Sequence, residues 1–189
     1  MNDGLFGIIK LNIKKGAKSL VAIAYSILWL LAAIKFADRN WEKYYPTLLF
    51  AALSNCLYEL LCYQHQLWQM EPNGLKVSMI PILLLVLIGM PVSSWIYLSN
   101  YPRNSKLLRQ AYYIIFFTGV FVLLEFVSVK CGSITYHNGW NLLWSSFFDI
   151  IMFVMLRIHY RKPLFGLMMS IPYTGLLMFI FDIGFDKMK

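Results

Sequence analysis

Five apolar runs, each close to the ~20 residues needed to cross a hydrocarbon core at about 1.5 Å per residue, dominate this chain. They are 46–66, 78–98, 109–129, 139–158 and 164–185. The breaks between them are short and carry turn or charge signals: Glu71-Pro72-Asn73-Gly74, Asn100-Tyr101-Pro102-Arg103-Asn104, His137-Asn138-Gly139 and Arg161-Lys162-Pro163. None is long enough to house a soluble catalytic domain. With 59% hydrophobic and 14% charged residues, the chain has too few charges to cover a water-soluble fold. The expected fold class is all-α, a polytopic transmembrane helix bundle.

A sixth run, Leu20–Ile34, is shorter and lies between Lys14, Lys15, Lys18 and Lys35. If it does not cross, thirteen Lys and Arg gather on one side of the membrane and four on the other; if it crosses, the split is eight against nine. Basic residues concentrate on the cytoplasmic side of membrane proteins. That rule favours residues 1–45 as a cytoplasmic-side interfacial or re-entrant helix and linker, ahead of a five-span bundle over 46–185. The N-terminus is then cytoplasmic and the C-terminus outside. A six-span arrangement is the alternative. The Gly4-Leu5-Phe6-Gly7-Ile8-Ile9 start and its lysines suit anionic lipid headgroups at the cytoplasmic face. The net charge of +8 therefore reads as membrane orientation, with no nucleic-acid partner. Pro81, Pro91 and Pro172 fall within apolar runs and are expected to bend their helices.

Three acids inside the runs need explaining. Glu59 and Asp149 fall near the midplane and Glu125 in the outer third, at a helical rise of about 1.5 Å per residue. A carboxylate in hydrocarbon costs roughly 2.5–3.5 kcal/mol on insertion scales, so such groups face a bundle interior. Each sits on a helical stripe: Asn55, Glu59, Cys62 and Gln66; Thr118, Glu125 and Ser128; Asn141, Ser145 and Asp149. No Lys or Arg lies at matching depth. The functional reading is an outward-facing polar pocket for a small solute, a cation or protons, with Glu125, Tyr136, Trp140 and Asn141 at its mouth. Glu59, Asp149, Asn55 and Ser145 complete the set of candidates. The alternative is a network of acids, Asn and Ser that locks helices together in a structural or sensory subunit, with a second copy or another membrane protein as partner.

No nucleotide-binding, hydrolase or metalloprotease motif is present. Cys56, Cys62 and Cys131 form no CxxC pair. No catalytic or metal-ligating residue and no cofactor is assigned, and a lipid-active enzyme is the weakest reading.

Several stretches carry a family resemblance: Tyr45-Pro46-Thr47, Tyr63-Gln64-His65-Gln66-Leu67-Trp68, Tyr101-Pro102, and Ile134-Thr135-Tyr136-His137-Asn138-Gly139-Trp140-Asn141 with Trp144-Ser145. Glu125 and the Leu156–Pro163 tail of the fourth run match as well. Over Trp41 to Pro163 the chain resembles an uncharacterised family of small multi-pass membrane proteins of spore-forming Gram-positive bacteria. That resemblance implies a helical bundle in a bacterial cell membrane and assigns no activity.

Overall fold

The computed structural model describes residues 21–72, 75, 77–184 and 186. Within them the chain forms six helices: α1 Val21–Phe36, α2 Tyr45–Leu61, α3 Met79–Asn100, α4 Leu107–Lys130, α5 Leu142–Arg161 and α6 Pro163–Ile180. The last four are each long and apolar enough to cross a membrane. Large apolar side chains cover the outside of the bundle, with Ile34 83% and Phe179 85% exposed. Such a surface fits a hydrocarbon solvent.

The four long helices follow the runs 78–98, 109–129, 139–158 and 164–185 closely. The first run does not stay helical to residue 66. It stops at Leu61, where the Cys62 N–H closes the last turn on the Tyr58 carbonyl. Beyond it the Tyr58 hydroxyl accepts from the Leu67 and Trp68 amides and donates to the Trp68 carbonyl. One phenol thus satisfies three backbone groups of a non-helical loop, which is what a buried loop requires.

That loop forms β1, Trp68–Met70, which pairs antiparallel with β2, Ile134–Tyr136, from the α4–α5 connection. Trp68 lies opposite Tyr136 and Met70 opposite Ile134. The two-stranded sheet closes one end of the bundle. A tight reversal follows β2, in which the Trp140 amide donates to the His137 carbonyl. Both central residues, Asn138 and Gly139, have positive φ, the conformation that selects Asn-Gly in such turns. The three cysteines are free.

The opposite end holds the basic connections. Arg103 stacks over Tyr160 at 4.8 Å and Arg157 over Tyr101 at 4.7 Å. Between this end and the sheet lies an aromatic core centred on Tyr97 and Phe153, both fully buried. The Tyr97 hydroxyl donates to the Phe153 carbonyl, and Tyr113 donates to the Tyr97 carbonyl.

Helix α1 packs lengthwise against α3 and runs parallel to it. At the basic end the Asn100 side chain donates to the Phe36 carbonyl, and the Asp38 amide donates to Ser99. Toward the sheet end Tyr25 donates to the Leu124 carbonyl. In place of the expected interfacial or re-entrant helix, α1 lies along the bundle from the sheet end to the basic end, the course that the six-span alternative gives it. The rest of that expectation, the Gly4–Ile9 start and Lys10, Lys14, Lys15 and Lys18, falls outside the described residues, as do Lys76, Lys187 and Lys189.

The proline expectations resolve differently. Leu85–Gly89 is a π-helical turn in the middle of α3, closed by the Met90 amide on the Leu85 carbonyl. Pro91 follows directly and has no N–H to continue the regular ladder. Pro172 lies inside α6.

Candidate functional site

A cavity of about 320 Å³ runs from beneath the sheet past the middle of the bundle, walled by all six helices and roofed by β1, β2 and Trp140. Most of its wall is aliphatic or aromatic. Its acids are Glu125 from α4 and Asp149 from α5, and no Lys or Arg belongs to it among the described residues.

Glu125 is held from two directions. Its Oε1 accepts from the Tyr136 hydroxyl at 2.7 Å and from Ser145 Oγ at 2.6 Å. Trp140 Nε1 in turn donates to Ser145 Oγ at 2.8 Å. Tyr136 stands at the end of β2, outside the helices. Burial, and then the Glu125 carboxyl beside it, raise its phenol well above the ordinary value. It therefore stays a donor at neutral pH.

Asp149 lies one turn beyond Ser145 on the same face of α5. It is buried, and its Oδ2 has no hydrogen-bond partner among the described residues. A buried carboxyl oxygen without a donor is costly, and the residue that carries it belongs to the cavity wall. Ser128 also lines the wall, but its hydroxyl is spent on the Leu124 carbonyl.

The residues singled out in the sequence divide into three groups. Glu125, Asp149, Ser145, Trp140 and Asn55 meet at the cavity, and Tyr136 reaches it through Glu125. Asn141 does not. Its side chain caps α5, accepting from the Leu143 and Trp144 amides at 3.0 and 3.1 Å, and so satisfies helix-end donors. Glu59 is half-buried and outside the cavity wall. The stripe that faces inward on α2 is Ala51, Asn55, Tyr58 and Cys62; Glu59 is one residue, about 100° of helical rotation, away from Tyr58.

Trp140 is not at an open mouth: it is buried beneath the sheet and packs on Phe181 with ring centroids 5.1 Å apart. His137, just after β2, bonds Thr135 of that strand. Among the described residues no three His, Cys, Asp or Glu side chains gather as a metal site.

Sequence reasoning missed Tyr58, whose hydroxyl anchors the loop that carries β1, and Tyr25, Trp29 and Tyr173, which close the cavity sides. Tyr58 had a readable signal: it follows Asn55 by three and precedes Cys62 by four, the same stripe spacing. Trp29 had none, because α1 is apolar on every side and its buried face is small residues, Ala22, Ser26 and Ala33. Comparison with protein families, with curated proteins and with solved structures yields no match to this chain.

Proposed function

We propose that this chain is an integral protein of a bacterial plasma membrane that binds a small cationic solute or protons in its internal cavity, as a binding or transport element. One observation carries the reading: two carboxyl groups share a largely apolar cavity to which no basic side chain contributes among the described residues. Charge placed there needs a counter-charge from outside the protein. The resemblance over Trp41–Pro163 supports the location. The basic connections at the Arg103–Arg157 end support contact with anionic headgroups there. With Val21–Phe36 counted as a span, Lys and Arg divide eight against nine, and the charge rule gives the two ends no preferred side.

The test uses the full chain in lipid nanodiscs and in proteoliposomes. Added amines or alkali cations should raise its thermal stability or drive proton release, and Glu125→Gln with Asp149→Asn should remove both responses while assembly stays normal. If the double variant loses assembly and no cation response exists in the parent, the acids lock helices together, and the chain is a structural or sensory subunit for a second copy or another membrane protein.

A further inference from the structure

The cavity wall is mostly apolar. Glu125, Ser145 and Asp149 belong to it, and along α5 Met152, Met155 and Leu156 follow. Of the polar side chains that α2 and α6 add, Ser54, Asn55 and Ser170 donate to carbonyls of their own helices. The stretch of α5 from Asp149 to Leu156 covers about 10 Å. Asp149 is 6% exposed and belongs to the wall, and its Oδ2 is unpartnered among the described residues. A bare metal cation is badly served by this arrangement, since it needs several oxygen ligands around it, and most of the wall is hydrocarbon, ring and thioether. A single positive charge on an apolar body matches it, and flexible methionines accommodate such bodies without a fixed shape.

The side of the cavity suggests the route. Ser54 and Leu57 of α2 belong to its wall and are exposed. Ser170 and Thr174 of α6 belong to the wall as well. Helices α2 and α6 both pack on α5 and are not a closely packed pair themselves; with Ser54 and Leu57 exposed between them, the cavity opens on this side of the bundle.

Resting on the cavity reading above, we propose that the ligand is a lipophilic amine, one ammonium group on a hydrocarbon tail, which passes from the membrane between α2 and α6. Its head meets Asp149 and Glu125, and its tail lies along Met152 and Met155.

Decylamine, decanol and sodium chloride are titrated against the full chain in nanodiscs, with empty nanodiscs subtracting partition into lipid. Decylamine should bind at least tenfold tighter than decanol, and Asp149→Asn, which keeps the side chain's shape, should erase that preference. Leu57→Trp, with helicity checked by circular dichroism, should slow decylamine association several-fold. Equal binding of decanol and decylamine would overturn the role of the ammonium, and an unchanged association rate in Leu57→Trp would overturn the route. Should sodium or proton release depend on both acids while decylamine does not bind, the lipophilic ligand is refuted and the cation pocket stands. If no cation response depends on either acid, both fail.

Discussion

Near the basic end, Tyr97 is fully buried, its hydroxyl donates to the Phe153 carbonyl, and its ring touches those of Tyr101, Tyr113, Phe117 and Phe153. Toward the sheet, Asp149 is almost as deeply buried, yet it lines a cavity and one of its oxygens has no partner among the described residues. Both residues occupy central helices, and their surroundings follow different requirements. In a bilayer, apolar surface alone gives helices little reason to associate, because lipid tails are equally apolar; packing and hydrogen bonds must do it. The Tyr97 region meets that demand with interlocked rings. The Asp149 region forgoes packing and keeps space, which costs stability and is the usual mark of a site.

The contrast can be broken first at its packed side. Phe153→Ala removes a ring wedged between Tyr97, Phe117 and Phe121 and should cost about 3–5 kcal/mol. Thermal or denaturant unfolding in detergent measures it, and a loss under about 1 kcal/mol would remove the distinction between the two regions. Next is the junction of α5 and α6. A Cβ on Gly166 would stand 2.7 Å from both the Cα and Cβ of His159, whose ring stacks on Phe50 and shares a hydrogen bond with Thr47. Gly166→Ala should push the helices apart and cost roughly 1–3 kcal/mol, read by the same unfolding experiment.

On the hollow side the expected effect is smaller and of uncommon sign. Asp149→Asn should leave stability within about 1 kcal/mol of the parent or raise it, because it removes a potential charge that nothing in the protein answers. A loss like that of Phe153→Ala would show that Asp149 is a packing residue after all.

The smallest effect concerns the exposed pair at the end of α1. The Lys43 ammonium and the Asn40 amide hold the Asp38 carboxyl below its ordinary value, and Asp38 in turn raises Lys43. A carboxyl with a depressed folded-state value adds stability above its unfolded value and loses it as pH falls through the depressed one. Melting temperature should therefore be insensitive to this pair from pH 5 to 8 and decline slightly below pH 4. Salt should weaken the effect, and Asp38→Asn should abolish the pH difference.

Hydropathy made four helices legible to within about five residues at their ends, because a span must be apolar over its whole length whatever it packs against. The same reading carried α2 on to residue 66, although Cys62-Tyr63-Gln64-His65-Gln66 is largely polar and belongs to the loop that Tyr58 anchors. The sheet was invisible, since three-residue strands from two distant connections leave no periodic trace. Glu125, Ser145 and Asp149 were readable as a cavity group because burial of acids in a membrane demands shared polar company. Glu59 was misplaced because a stripe with several polar members fits two neighbouring helical faces, and only the partner helices decide which one turns inward. The packing of Val21–Phe36 along α3 could not be read from charge, which counts residues at the ends of a segment and ignores how its small residues fit against a neighbour.

Tyr136 and Ser145 stand on either side of the Asn138-Gly139 reversal, and both grip the same oxygen of Glu125. The reversal therefore works as a clasp: the strand before it and the helix after it are tied to one atom inside the barrier. Anything that pulls on the connection from its exposed side must loosen that grip before it moves the roof, so the position of β2 and the state of this single carboxyl are one mechanical variable.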